Sequence, residues 1–333
     1  MRAMILFADV PAWVTDYPVL SLLAGLVTLV VGAEVLVRGA VWIALAAGMS
    51  RMAVGLTLVS IGTSLPELLV TLKTAEGTGE NANMGLANVL GSNIANVLLI
   101  VGVAATIRAI RTKTRWLELG YMLLLSGLAC VPFLVGARLD RWLAGLMLAV
   151  LILFLYQLLA RERVARKLLE DEVAPKTTLG GWLINSALLA AGFLMLKYGA
   201  DWLVGGASQV ATNFGMTQTM IGVTVVAIGT SMPELATSAI AALRGQSEIC
   251  IGNVIGSNIF NIGAVLGGAG LMRPFPFDAD PLMLVTIGGA VVSALVLTVV
   301  LRKGGGVPRS VGILFLLAYA GYTAYAVIAT PDA

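Results

Sequence analysis

The chain has 333 residues, of which 59% are hydrophobic and only 12% are charged. A soluble domain carries about 25% charged residues, so the composition excludes an ordinary soluble protein and predicts a polytopic membrane protein. The formal net charge of +3 offers no basis for nucleic-acid binding. There is no histidine, and Cys130 and Cys250 lack a CxxC spacing. We therefore expect free buried thiols and no zinc, haem or copper site.

Ten apolar stretches are predicted to be membrane elements, five on either side of a charged linker. In chain order they are Val19–Leu36, Arg38–Leu72, Ala82–Ile107, Leu117–Val135 and Trp142–Leu159, then Leu179–Ala200, Trp202–Leu243, Glu248–Leu271, Leu282–Leu301 and Val311–Ile328. The chain is thus divided into a first half (1–160), a linker (161–178) that is expected to be cytoplasmic, and a second half (179–333). Within the linker, Arg161–Lys176 is expected to form a solvated helix and loop. The N-terminus lacks a signal-peptide pattern, so the first apolar run is expected to be retained.

The two halves are copies of each other, which is the most informative feature of the sequence. The segment NVLGSNIANV (Asn88–Val97) matches NVIGSNIFNI (Asn253–Ile262) at an offset of 165, with seven of ten positions identical. At an offset of 167 the matched pairs are Gly25 and Gly192, Gly32 and Gly199, Gly39 and Gly206, Gly48 and Gly215, Glu34 and Asp201, and Glu67 and Glu234. Chance matching of apolar residues does not produce shared Gly, Ser, Asn, Pro and Glu in one order.

Five spans per half is an odd number, so the second half is predicted to enter the membrane inverted, as in secondary transporters. The basic residues agree with this prediction and place both termini outside. The inner loops would then hold Arg108, Arg111, Lys113, Arg115, Arg161, Arg163, Arg166, Lys167, Lys176, Arg302, Lys303 and Arg309, whereas the outer loops hold chiefly Lys73, Arg138, Arg141 and Arg273. Four tryptophans are predicted near span ends as interfacial anchors: Trp116, Trp142, Trp182 and Trp202.

Polar residues interrupt the second span of each half in the stretches IGTSLPEL (Ile61–Leu68) and IGTSMPEL (Ile228–Leu235). Pro66 and Pro233 lack an N–H and displace the carbonyls of Gly62 and Gly229, so each helix is predicted to be broken. Threonine and glutamate lie four residues apart in each stretch and therefore share a helix face.

Serine and asparagine share a face in the same way in the two GSNIxN segments, as Ser92 with Asn96 and Ser257 with Asn261. Hydroxyl, amide, carbonyl and carboxylate oxygens are the ligands of a hard cation such as Ca²⁺ or Na⁺. A kinked helix alone is often structural, but two unpaired intramembrane glutamates are costly and favour a cation site. Gly91 and Gly256 are interpreted as helix-packing residues.

Two other matched pairs have open interpretations. Asn93 and Asn258 point elsewhere on their helices and either join the interface or contribute to the site. Glu34 and Asp201, which we place near span ends, are either interfacial residues, the interpretation we favour, or acids on an ion entry path.

The motifs GTSLPEL with GSNIAN and GTSMPEL with GSNIFN resemble the two α-repeats of the sodium/calcium exchanger branch of the calcium:cation antiporter superfamily. The resemblance covers nearly the whole chain. It implies an all-α polytopic fold of ten transmembrane helices, arranged as two inverted five-helix repeats with broken helices at the ion site. It also implies that the spans near Val19–Leu36 and Leu183–Ala200 slide across eight packed helices, with Gly25, Gly32, Gly192 and Gly199 forming a smooth sliding face.

Carried over by motif position, the resemblance implies a set of ion ligands from both halves. The side chains are those of Thr63, Ser64, Glu67, Ser92, Asn96, Thr230, Ser231, Glu234, Ser257 and Asn261, and the main-chain carbonyls are those of Ser60 and Ala227. Some family members have Asp at the position of Asn261. With two carboxylates the site neutralises one Ca²⁺ or two Na⁺, and the missing Asp argues against K⁺ dependence.

The function expected from these residues is Ca²⁺/Na⁺ antiport in a prokaryotic inner membrane, with both ions as substrates and the lipid bilayer as surroundings. No cofactor, nucleic acid or obligate protein partner is expected. A proton/calcium exchanger of the same superfamily is the main alternative, and a cation channel is a weaker one. An enzyme is not expected, because Ser64 and Ser231 have no histidine in the chain, and no lysine within two turns, to act as a base.

Overall fold

The computed structural model describes residues 11–75, 80–112, 116–135, 138–168, 178–215, 227–276 and 281–329. These residues are helical apart from four strands of two residues each and the connecting turns. Among the described residues, eight helices are long and apolar enough to cross a membrane, and a bent helix pair, Arg51–Thr63 with Leu65–Leu72, raises the number to nine. The protein is therefore an all-helical, multi-pass membrane protein. Of the predicted span Trp202–Leu243, residues 216–226 lie outside the described part of the chain.

The first half contains long continuous helices and two spans that are interrupted by π-helical turns. Its helical segments are α1 (Ala12–Asp16), α2 (Pro18–Ala47), α3 (Arg51–Val54), a π-helical turn (Gly55–Val59), α4 (Ser60–Thr63), α5 (Leu65–Ala75), α6 (Glu80–Ala95), a second π-helical turn (Asn96–Val101), α7 (Gly102–Ile107), α8 (Trp116–Val135) and α9 (Arg141–Leu168). The strands of this half are β1 (Ile110–Arg111) and β2 (Arg138–Leu139).

The described segments of the second half follow the same order. They are α10 (Leu179–Asn213), α11 (Ala227–Thr230), α12 (Met232–Leu243), α13 (Ser247–Phe260), a π-helical turn (Asn261–Leu266), α14 (Gly267–Met272), β3 (Phe275–Pro276), α15 (Pro281–Gly304), β4 (Gly306–Val307) and α16 (Arg309–Ala329). Both GSNIxN segments thus end at the same place, where an α-helix passes into a π-helical turn at Asn96 or Asn261.

Two predicted span boundaries were wrong, those at Arg38 and Trp202. Helix α2 continues through Arg38 to Ala47, and α10 continues through Trp202 to Asn213. At about 1.5 Å per residue, α10 is roughly 50 Å long, longer than the hydrocarbon core of about 30 Å. Trp202 therefore lies inside a helix rather than at its end, and its ring packs edge-on to Trp13 at 5.3 Å.

The charged run after residue 160 is partly helical, as predicted, since α9 extends to Leu168. Arg161 and Arg163 are exposed, but Glu162 is buried and accepts a hydrogen bond of 2.7 Å from the N–H of Ser50. The prediction of a solvated helix was therefore wrong for Glu162, which ties α9 to the start of α3. Residues 169–177 of the linker lie outside the described part of the chain.

Short strand pairings join the two halves in the same way twice. Strand β1 of the first half pairs antiparallel with β4, and β2 pairs antiparallel with β3 of the second half. In repeat terms, the strand after the third span of either half pairs with the strand between the fourth and fifth spans of the other. The two halves therefore contact each other reciprocally.

Burial shows which helices form the centre. In the span formed by α13 and α14, 94% of the most apolar 18-residue stretch is buried, whereas the corresponding share is 11% in α10 and 17% in α16. Helix α13 packs on the π-helical turn after α3 and on α12, so the GSNIxN segment lies between the two broken helices. The centre of the protein is therefore the part that carries the polar motifs.

Glycines bring α2 and α10 into close contact. A Cβ added at Gly25 would lie 2.7 Å from the carbonyl oxygen of Gly199, and one at Gly199 would lie 3.0 Å from that of Gly25. Gly32 meets Met195, and Gly192 meets Leu36. These glycines were expected to form a face sliding over the other helices, but they pack α2 and α10 against each other, as small residues do between membrane helices.

Candidate cation site

In both GTSxPE stretches the helix is broken at the serine, two residues before the proline. Ser64 lies between α4 and α5 with φ −84° and ψ 5°, and Ser231 precedes α12 with φ −89° and ψ 8°. The chain bends by 41° between α4 and α5. A proline is favourable in the first turn of a helix, where its missing N–H has no intrahelical partner. Pro66 and Pro233 therefore start new helices, which carry Glu67 and Glu234 in their first turns.

The predicted ligand side chains are all buried. Each is at most 3% exposed: Thr63, Ser64, Glu67, Ser92, Asn96, Thr230, Ser231, Glu234, Ser257 and Asn261. Buried carboxylates are tolerated only with compensating polar partners or cations. These side chains are therefore a buried polar set within a largely apolar core.

Hydrogen bonds link the glutamates to both halves. The hydroxyl of Ser92 donates to Oε1 of Glu67 at 3.4 Å within the first half. The hydroxyl of Ser64 donates to Oε1 of Glu234 at 3.3 Å across the two halves. The two carboxylates are therefore held in a common site by serines of the first half.

The threonines also reach across the molecule, to asparagines outside the predicted ligand set. Thr63 donates to Oδ1 of Asn253 at 3.2 Å, and Thr230 donates to Oδ1 of Asn88 at 3.3 Å. Asn253 in turn donates to the hydroxyl of Ser238 at 3.1 Å. The sequence analysis missed Asn88 and Asn253, although both are the first residue of the matched NVxGSNIxN segments and their repeat signal was visible.

Four asparagines of the GSNIxN segments form a reciprocal network between the halves. Asn96 donates to Oδ1 of Asn258 at 2.9 Å, and Asn261 donates to Oδ1 of Asn93 at 3.0 Å. Asn93 and Asn258 each donate to the main-chain carbonyl of the other, at 3.4 and 3.5 Å. The interpretation of Asn93 and Asn258 as residues that join the interface is therefore confirmed.

Six buried oxygens of the site have no hydrogen-bond partner among the described residues. They are Oε2 of Glu67, Oδ1 of Asn96, Oγ of Ser231, Oε2 of Glu234, Oγ of Ser257 and Oδ1 of Asn261. Unpaired buried oxygens are costly and rare in native proteins, but such oxygens are what Ca²⁺ and Na⁺ bind. The described residues contain no cluster of three or more His, Cys, Asp or Glu side chains. The donor set is therefore two carboxylates plus neutral oxygens.

The main-chain candidates and the motif glycines differ in their surroundings. The carbonyl of Ser60 accepts hydrogen bonds from the N–H of Ser64 at 3.0 Å and the hydroxyl of Thr63 at 3.4 Å. Ala227 is the first residue of α11, on the broken helix. A Cβ at Gly256 would lie 2.8 Å from the carbonyl of Leu56, which supports a packing role. A Cβ added at Gly91 would meet no atom of the described residues within 4 Å, so no close helix contact there requires a glycine, against the predicted packing role.

Glu34 and Asp201 are not at span ends. Each lies well inside a long helix and is neutralised by a cation four residues away, Arg38 for Glu34 and Lys197 for Asp201. Glu34 also accepts two hydrogen bonds from Arg244, at 2.6 and 2.9 Å. Since Arg244 follows α12, Glu34 links α2 to the helix that carries Glu234.

The fold is similar to that of a solved cation exchanger. The sodium–calcium exchanger NCX_Mj, in a structure obtained with Na⁺ and Sr²⁺, superimposes with a TM-score of 0.78 and 29% identity, covering 92% of this chain and 97% of NCX_Mj. The fold and the family match together show that this protein is a cation antiporter of the calcium:cation antiporter superfamily.

The sequence comparisons identify the family. The family model described as sodium/calcium exchanger protein matches residues 17–160 and 184–328, so the chain belongs to the sodium/calcium exchanger family. CaxA of Alkalimonas amylolytica is 35% identical over 270 residues, 77% of this chain and 82% of CaxA. The inner membrane protein YrbG of Escherichia coli is 34% identical over 221 residues, 64% of this chain and 67% of YrbG. The family resemblance expected from the motifs is therefore confirmed.

Proposed function

We propose that this protein exchanges Ca²⁺ for Na⁺ across a membrane by alternating access. The observation that carries the proposal is the set of six buried oxygens without hydrogen-bond partners, contributed by both halves and including one oxygen of each glutamate. Ca²⁺ takes six to eight oxygens at about 2.3–2.6 Å, so a shell of this composition suits it. A relative named sodium/calcium exchanger MaX1, from Methanosarcina acetivorans, is 39% identical over 99 residues, 30% of this chain and 28% of MaX1.

In this proposal the ligands are the predicted side chains of both broken helices and both GSNIxN segments, with the carbonyls of Ser60 and Ala227. Glu67 and Glu234 supply two negative charges, which balance one Ca²⁺ or two Na⁺. Because Asn261 is neutral, a third Na⁺ would have to be held by neutral oxygens. The proposed site therefore has no further carboxylate to balance the charge of an additional K⁺.

Coupling follows from the cost of burying charge. An unneutralised carboxylate is costly inside a membrane protein, so an empty site resists the movement that closes it on both sides. Loaded with Ca²⁺ or Na⁺, the same site is neutral and the change of access is permitted. The two ions therefore use overlapping ligands in alternation, and a gradient of one drives the other.

The proposed orientation places both termini outside the cell. The exposed arginines Arg161 and Arg163 at the end of α9 and Arg302 and Lys303 at the end of α15 then lie inside, in agreement with the positive-inside rule. We place the protein in a prokaryotic inner membrane on the basis of this charge distribution and its bacterial relatives.

The test is ion flux in vesicles reconstituted with the purified protein. We expect an outward Na⁺ gradient to drive uptake of radiolabelled Ca²⁺, and Glu67→Gln and Glu234→Gln to abolish it, because each removes half of the charge that neutralises Ca²⁺. Thr298→Ala is the control, since Thr298 is buried but bonds only the carbonyl of Ala294 on its own helix among the described partners.

The gradients separate the alternatives. Uptake driven by a proton gradient and indifferent to Na⁺ would assign the protein to the proton-coupled exchangers instead. Full Na⁺-driven exchange by both glutamine variants would contradict the proposed site.

A further inference from the structure

An amide side chain has a donor end and an acceptor end, and only its neighbours decide which way it faces. Asn96 and Asn261 can bind a cation only through Oδ1, because Nδ2 is a donor and repels a cation. Both are fully buried, at 1% and 0% exposure. Something in the protein therefore has to turn both oxygens toward the site.

Asn93 and Asn258 determine that orientation through a chain of contacts that starts at the backbone. A main-chain carbonyl accepts and never donates, so the atom of Asn258 that faces the carbonyl of Asn93 is Nδ2. The other end of Asn258 is then Oδ1, an acceptor, and it receives Nδ2 of Asn96 at 2.9 Å. Oδ1 of Asn96 is left pointing away without a protein partner.

The second half repeats the chain with the roles exchanged. Nδ2 of Asn93 faces the carbonyl of Asn258, and Oδ1 of Asn93 receives Nδ2 of Asn261 at 3.0 Å. Oδ1 of Asn261 is again without a partner in the described part of the chain. Two backbone carbonyls thus set the direction of four amides.

We propose that Asn93 and Asn258 are positioning residues that orient the amide oxygens of Asn261 and Asn96 toward the transported cation. They do not touch the ion themselves. The inference rests on the proposed cation site and adds two residues through which its ligands are held.

The same network favours an amide over an ionised carboxylate at position 261. An ionised carboxylate there would place an oxygen against Oδ1 of Asn93, and two acceptors cannot share a hydrogen bond. Turning Asn93 over would relieve that contact but set its Oδ1 against the carbonyl of Asn258. The network therefore matches a site with two carboxylates and a neutral ligand at Asn261.

The experiment measures ion binding to the purified full-length protein in detergent. The rise in unfolding temperature on titration with Ca²⁺ or Na⁺ gives an apparent affinity without requiring transport. We expect Asn93→Ala and Asn258→Ala each to weaken binding by about tenfold or more. In the Asn261→Ala background Asn93→Ala is expected to cause no further loss, because its partner is already absent.

Crossed pairs provide the matched control. Asn93 orients Asn261, whereas Asn96 is oriented by Asn258, so Asn93→Ala combined with Asn96→Ala affects two independent ligands. The fold-losses in affinity of the two single variants are therefore expected to multiply in the double variant. A role limited to general packing would give multiplying losses in both combinations. If Asn93→Ala fails to fold, Asn93→Ser, which keeps a hydroxyl acceptor, and Asn258→Ala with its partner Asn96→Ala are measured in the same way.

The positioning role predicts a loss of about tenfold in affinity for Asn93→Ala and for Asn258→Ala. It is overturned if both variants bind within about threefold of the unaltered protein while Glu67→Gln still loses binding. Losses that multiply in the Asn93 and Asn261 pair overturn it as well. If Glu67→Gln binds as well as the unaltered protein, the cation site itself is wrong, and that failure is distinguishable from the failure of the positioning role.

Discussion

Thr63 and Thr230 show how single residues bind the two halves together. Each donates its hydroxyl to an asparagine of the opposite half, Asn253 or Asn88. The threonines were predicted as ligands from the repeat, but their partners were not. A repeat alignment marks which residues are shared, whereas it does not say which copy a side chain contacts. That information exists only once the halves are packed.

Asn253→Leu is expected to lower the free energy of unfolding by about 1–3 kcal/mol, because it leaves the buried hydroxyls of Thr63 and Ser238 without these partners. Thermal unfolding of the purified protein measures the loss. Asn213→Leu is the matched control, since Asn213 is exposed at the end of α10 and pairs with Gln209 there. Equal stability of the two variants would contradict a structural role for the Asn253 bridge.

At the scale of helices, the contact between α2 and α10 depends on residues without side chains. The glycines at 25 and 199 approach each other's carbonyl oxygens, and Gly206 approaches that of Pro18, where an added Cβ would lie at 2.5 Å. In lipid, helices associate through close packing rather than through the hydrophobic effect. The repeat spacing of the glycines was predictable, whereas the surface they face was not, because spacing gives a helix face without its neighbour.

Gly199→Ala is expected to destabilise the protein by about 1–3 kcal/mol, since the new methyl group overlaps the backbone of α2. Gly180→Ala is the control on the same helix, because a Cβ there meets nothing within 4 Å. Unfolding temperature and the rate of Na⁺-driven Ca²⁺ uptake are measured for both. A neutral Gly199→Ala would mean that α2 and α10 are not packed at this point in the membrane.

The lengths of α2 and α10 were underestimated for a physical reason. The predicted spans stopped at Leu36 and Ala200, so Glu34 and Asp201 were placed near span ends, where acids are less costly than at the bilayer centre. In the structure a cation one helical turn away neutralises each acid, so each helix continues past it. Sequence reasoning predicted the helix breaks better, because a proline acts through its own covalent geometry.

At the scale of the whole molecule, the ligands follow the repeat, but the ion pairs among the described residues do not. Asp201 pairs with Lys197 on its own helix, whereas Glu34 pairs with Arg38 and also with Arg244 beyond α12. The repeat position of Arg244 falls at Gly77 or Gly79, depending on which of the two offsets applies. The sequence therefore contains this asymmetry, but nothing in it indicates that Arg244 reaches Glu34.

Arg244→Gln is expected to shift the balance between the two access states by up to about fivefold, since an exposed ion pair is worth up to about 1 kcal/mol. Apparent Ca²⁺ affinity, measured from each side of oriented vesicles, reports the shift. Lys197→Gln is the matched control, because a pair within one helix moves with that helix and biases neither state. An unchanged ratio of affinities in Arg244→Gln would contradict the expectation.

The ion pair between Glu34 and Arg244 also affects how the empty carrier is distributed between its two access states. If the two halves had equivalent interactions, the two access states would have equal free energies, and the empty protein would open its site to either side of the membrane equally often. An ion pair that the described residues form in one half without a counterpart in the other makes one of those populations larger, and the affinity measured from the side of the rarer state falls in proportion to its population. Identical ligands then give unequal apparent affinities on the two sides, so an arginine that never meets the ion influences how readily the carrier loads from each side, while the ion gradients set the direction of exchange.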